Sequence, residues 1–147
     1  MKAFVIYLCF QFSCSLIFGQ SNFVVTKSDS SEEKLIYLVQ YKRTSYLLTL
    51  LKDTITSKII VSLRKKSSGI NTNIIRQRIE SGVSLSVRPF TKGKSPIIYI
   101  EIGSNALYAH EIKFSEKIMF KKGIPLKGKY LNDYYNKFID KKNVTPY

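Results

Sequence analysis

A single histidine limits the chemistry open to this chain. His110 lies in Tyr108-Ala109-His110-Glu111, and acid–base work would pair it with Glu111 or Glu101. Adjacent residues on a strand project to opposite faces, so His110 and Glu111 do not form a dyad. A lone histidine in this setting reads as a surface or structural residue. A hydroxyl nucleophile would have only His110 as its base. There is no histidine pair and no acidic calcium-loop spacing, so no metal site is expected. Gly123 to Gly128 holds Pro125 and lacks the spacing of a phosphate loop. No catalytic residue and no cofactor are expected. A site built from carboxylates alone is the one enzymatic arrangement left open.

The arginines carry a second kind of chemistry. Arg64, Arg76, Arg78 and Arg88 fall on consecutive expected strands, at positions where the alternation points them outward. If those strands are neighbours, the four make an arginine-studded sheet face, extended by Lys65, Lys66, Lys92 and Lys94 in adjoining loops. The planar guanidinium fork matches sulfate, phosphate and carboxylate. The competing reading is an ordinary solvated face whose strand edges are guarded by charge. Aromatic residues do not interleave with these arginines to stack bases, so nucleic acid is the weaker partner. Lys113, Lys117, Lys121, Lys122, Lys127 and Lys129 read as solvated charge around chain breakers. Asn143-Val144-Thr145 is a glycosylation sequon, which makes Asn143 the candidate acceptor.

The chain carries 24 Lys+Arg against 10 Asp+Glu, a net charge of +14. Such a field draws sulfated glycosaminoglycan, an anionic cell surface or an acidic protein. Compositional drift is the other explanation, since Lys, Ile, Asn and Tyr are abundant together.

The elements that must position these residues begin after a leader. Met1-Lys2 precedes an apolar run from Ala3 to Phe18, broken by Ser13-Cys14-Ser15 and ended by Gly19-Gln20. That is the pattern of a secretory signal peptide, residues 1–20, cleaved after Gly19 or Gln20. An uncleaved anchor and a lipoprotein attached at Cys14 are the alternatives. Both cysteines, Cys9 and Cys14, fall inside it. The remainder, residues 21–147, is then an extracellular, disulfide-free single domain that must rely on apolar burial.

Short apolar runs rich in Ile, Val, Tyr and Phe, separated by turn residues, signal strands. They are expected over 22–26, 34–41, 45–51, 58–64, 72–79, 83–88, 97–102, 106–114 and 117–121. Val83, Leu85 and Val87 are expected to face the core, and 97–102, apolar on both faces, is expected to be a central strand. Residues 28–33 and 89–96 read as loops. Leu131, Tyr134, Tyr135 and Phe138 fall at helical spacing, predicting a short C-terminal helix. The fold class is mainly β: one antiparallel β-sandwich or jelly-roll-like domain with that helix, a closed barrel being the alternative.

Asn71-Thr72-Asn73-Ile74-Ile75-Arg76 follows an alternating strand, and Ile97-Ile98-Tyr99-Ile100-Glu101-Ile102-Gly103 leads through a turn into another. Over about 58–110 this order resembles the farnesoic acid O-methyltransferase-like domain, a secreted β-sandwich module of invertebrates. That family's Asn-Thr-x-Ser-x-Ile-Arg is here one residue short and without its Ser, and the family's tryptophans and double glycine are absent. The resemblance implies a carbohydrate-binding-like or interaction module. It does not imply a methyltransferase, because nothing here resembles a methyl-donor site.

The resulting expectation is a secreted, non-enzymatic binding protein that meets an anionic or protein partner through a basic sheet face. A carrier of a lipid or small apolar ligand, with Tyr and Phe lining a cavity, is the alternative. No membrane span is expected once the leader is removed.

Overall fold

The structure, a computed structural model, describes residues 23–67 and 72–139. The expected leader with both cysteines, and the Asn143 sequon, lie outside those residues. Among the described residues ten strands and one helix follow in order: β1 Phe23–Ser30, β2 Lys34–Tyr41, β3 Thr44–Asp53, β4 Lys58–Lys66, β5 Thr72–Glu80, β6 Ser84–Phe90, β7 Ile97–Gly103, β8 Leu107–Lys113, β9 Met119–Lys121, β10 Pro125–Leu126 and α1 Lys129–Asn136.

The strands form two antiparallel sheets rather than a closed barrel. The first is a meander in the order β1-β2-β3-β4-β5. The second has the order β10-β8-β7-β6, with β9 also pairing with β8. Each strand places alternate apolar residues on the shared inner face. Leu48 and Leu50 on β3, Val61 and Leu63 on β4, and Ile79 on β5 meet Ile98, Ile100, Ile102 and Ile112 of the second sheet, all at most 1 % exposed. Burying each such side chain contributes about 1.5–3 kcal/mol. At one end of the sandwich Phe114 is ringed by Phe23, Tyr41 and Tyr46, with centroids 5.2–5.8 Å away. The interior is therefore filled by side chains.

The outer face of the second sheet has its own cover. Tyr99, Ala109 and Tyr134 form a buried cluster there, with Phe90, Ile97, Leu107, Leu126 and Phe138 packed around it. Tyr134 and Phe138, four residues apart on the α1 side, supply the helical contribution. This is the helix expected from the period change, and 97–102 is the central strand expected between two neighbours, buried on both faces.

Local readings depart in four places. Ser28, Asp29 and Ser30 continue β1 through a bulge, so the expected 28–33 loop begins only after Ser30. Pro89 and Phe90 extend β6 by pairing with Ile98 and Ile97. Val83 precedes β6 and is 94 % exposed, so only Leu85 and Val87 of that trio turn inward. Pro125 and Leu126, expected as part of a broken stretch, pair with Tyr108 and Leu107. Among the described residues no helix is long and apolar enough to cross a membrane.

Candidate anion-binding face

Strand register orders the outer face of the first sheet into rows. One row reads Lys34, Leu51, Ile60, Arg78 across β2 to β5. The next reads Asp29, Ile36, Thr49, Ser62, Arg76 from β1 to β5. The third reads Thr26, Leu38, Leu47, Arg64, Asn73, and the fourth Val24, Gln40, Ser45, Lys66. Every row carries a cation on β4 or β5. Rows are separated by two residues of strand, about 6.7 Å, so Arg78, Arg76, Arg64 and Lys66 form a ladder roughly 20 Å long.

The ladder steps from β5 to β4 beside a bulge. Leu63 pairs with Ile75 and Arg64 with Asn73, leaving Ile74 as the extra residue of β5. Leu63 and Ile75 stay in the core while Arg64 and Arg76 stay on the outside. Arg64, Arg76, Arg78 and Lys66 are all exposed. Arg78 acts at a distance on Asp53, whose carboxyl is held below the usual range first by the Thr56 hydroxyl and the Ile55 amide. Beside the ladder, Leu38, Leu47, Ile36 and Ile60 are half-buried and Leu51 is 41 % exposed. This face thus offers an apolar strip flanked by cations, and among the described residues α1 lies on the other sheet.

Arg88 does not join the other three. It belongs to β6, in the second sheet, because the chain changes sheet between β5 and β6. Its Nε–H donates to Glu101 Oε1 at 2.6 Å, and its guanidinium lies 4.9 Å from the Phe138 ring centroid. Glu101 also accepts from the Tyr134 hydroxyl at 2.7 Å and the Ser86 hydroxyl at 3.0 Å. Burial alone would raise the Glu101 carboxyl, but the bonds from Arg88, Tyr134 and Ser86 outweigh it and hold the group below the usual range. Burial, reinforced by the Glu101 bond, pushes the Tyr134 hydroxyl up. This network fastens α1 to its sheet. Lys92 and Lys94 are exposed in the β6–β7 loop, away from the ladder in the pairing order, and Lys65, paired with Tyr46 and Thr72, falls by alternation on the opposite face of the sheet from Arg64 and Lys66.

His110 and Glu111 do project to different sides. His110 is fully buried, and its nearest carboxylate is Glu80, at 3.5 Å. Neither Glu80 nor Glu101 was paired with its partners by sequence reasoning. For Glu101 a signal existed: a carboxylate within an otherwise apolar strand. Among the described residues Glu101 is the one buried acid, and it faces an arginine rather than a second carboxyl. No three His, Cys, Asp or Glu among them cluster as metal ligands.

Fold and face together define a two-sheet β domain with one sheet face covered by a helix and the other lined by arginines. Comparison with protein-family models, with curated proteins and with solved structures gave no match. The resemblance over 58–110 accordingly rests on its motifs alone.

Proposed function

We propose that this protein is a secreted, non-enzymatic binding protein that engages a sulfated polyanion of the glycosaminoglycan type through the outer face of its first sheet. The observation that carries the reading is the ladder Arg78, Arg76, Arg64 and Lys66 along β4 and β5. Guanidinium groups at strand spacing give a repeating anion several bidentate contacts at once. The +14 charge speeds encounter with such a partner, and the leader-like segment at residues 1–20 supports an extracellular setting. The neighbouring Leu47 and Ile60 add apolar surface against a sugar ring.

Retention on immobilised heparin tests this. Replacing Arg64, Arg76 and Arg78 with Ser is expected to bring elution to markedly lower salt, while Arg88→Ser leaves it nearly unchanged because Arg88 is engaged with Glu101. Equal loss from both variants overturns the assignment to this face.

A further inference from the structure

His110 is sealed between the sheets, with no exposed surface. Its Nδ1 accepts the Gly123 N–H at 2.9 Å. A nitrogen that accepts carries no proton, so the proton of the neutral ring lies on Nε2. Nε2 faces Glu80 Oε2 at 3.5 Å, and neither of these two buried atoms has a hydrogen-bond partner among the described residues. The other Glu80 oxygen pairs with Lys122 Nζ at 2.8 Å. Phe120 stacks on the ring, 6.0 Å between centroids and 13° between planes. The charged groups facing His110 are therefore Glu80, from the end of β5, and Lys122, from the segment after β9.

That segment, 119–126, is a strap along the free edge of β8. Lys121 pairs with Glu111 at one end and Pro125 with Tyr108 at the other. In the gap between them Gly123 lies directly on the β8 backbone, where a Cβ would come within 2.5 Å of the Ala109 carbonyl oxygen. The Gly123 amide there bonds to a side-chain nitrogen where a ladder carbonyl would otherwise serve.

We propose that His110 is a pH-sensitive latch, which holds the strap on β8 while the ring is neutral and releases it when the ring is protonated. The incoming proton has only Nδ1 to occupy. Protonated Nδ1 is a donor, and it would then face the Gly123 N–H, also a donor. The bond is lost, and with it the central attachment of the strap. Burial disfavours the cationic ring, Glu80 opposes that effect and Lys122 adds to it, with the balance below the ordinary histidine range. The closed state thus binds the proton less well than the open one. It is favoured above the open-state pKa of about 6.5 and weakens as pH falls below it. Lys121, Lys122, Gly123 and Ile124 also line a groove of about 310 Å³ between the strap and α1, so release would reshape that groove.

Hydrogen exchange of the 119–126 amides, corrected for intrinsic rates and referred to β3 and β4 amides, tests the latch at about pH 7.5 and about pH 5. The wild type is expected to lose roughly tenfold or more of the strap's relative protection at the lower pH. His110→Asn, whose Oδ1 can accept from Gly123 but cannot be protonated, is expected to lose none. An unchanged wild type, or an equal loss in His110→Asn, overturns the proposal. If His110→Asn does not fold, the ring ¹⁵N shifts of the wild type decide. An Nε2–H tautomer at neutral pH that titrates in step with the Gly123 amide supports the latch. An Nδ1–H tautomer, or titration that leaves Gly123 unmoved, overturns it.

Discussion

Arg88 donates to Glu101 at 2.6 Å beneath α1, on the sheet opposite the one that carries Arg64, Arg76 and Arg78. Removing the carboxylate leaves the Arg88 and Tyr134 donors without their acceptor. Glu101→Ala is expected to cost about 3 kcal/mol, as in other broken buried pairs. The Arg88 side chain is 42 % exposed, so Arg88→Ala should cost less, about 1–2 kcal/mol. Urea unfolding of both variants checks the order.

Tyr134 contributes through both its hydroxyl and its ring. Tyr134→Phe removes one charge-assisted donor to Glu101 and is expected to cost about 1.5–2 kcal/mol. Tyr134→Ala also empties the cluster of Tyr99 and Phe138, whose centroids lie 5.1 and 5.3 Å from its own, and should cost about 3–5 kcal/mol. Near-ultraviolet circular dichroism should report loss of α1 docking only in the alanine variant.

Gly123 has no room for a side chain against Ala109. Gly123→Ala is expected to push the strap off β8 and destabilise by about 1–3 kcal/mol, the range for overpacking. Faster exchange of the 119–126 amides, with β3 and β4 unaffected, identifies the strap as the part displaced.

Beyond His110, acid should act through carboxyls that their partners hold low, Glu80 and Glu101 among them. Glu80 is held below the usual range first by the Lys122 bond. Glu101 is also low, its three donors outweighing burial. Both have folded-state pKa values below the unfolded value of about 4.3. Their contribution is therefore present above that pH and lost as pH falls through the folded values. Urea midpoints measured from about pH 6 to about pH 3 should fall less steeply in Glu101→Gln than in the wild type.

Much of this fold is legible in the sequence because strand identity and facing are local properties. Period-two alternation places Leu63 inward and Arg64 outward with no knowledge of neighbours. Which sheet a strand joins is not local. The residues between β5 and β6 look like any short connection, and consecutive strands usually neighbour one another. Arg88 therefore looked like a fourth member of the arginine face until the change of sheet separated it. The network around Glu101 was hidden for the same reason: Ser86 and Arg88 lie on an adjacent strand, and Tyr134 comes 33 residues later. His110 reads from sequence as a surface or a structural residue, and its full burial against Glu80 is not legible, since that contact joins the two sheets. The arginine ladder depends on which strands pair and in what register, which alternation alone does not supply.

A charge-matched comparison separates the arginine ladder from the net field of the protein. One variant replaces Arg64, Arg76 and Arg78 with Ser, and the other replaces the exposed Lys113, Lys117 and Lys127 with Ser. Each removes the same charge, so a nonspecific effect of the net field would weaken heparin binding equally. The arginine variant is expected to elute from immobilised heparin at much lower salt, while the lysine variant stays close to the wild type. Equal shifts in the two variants would assign heparin binding to the net charge and not to the arginine face.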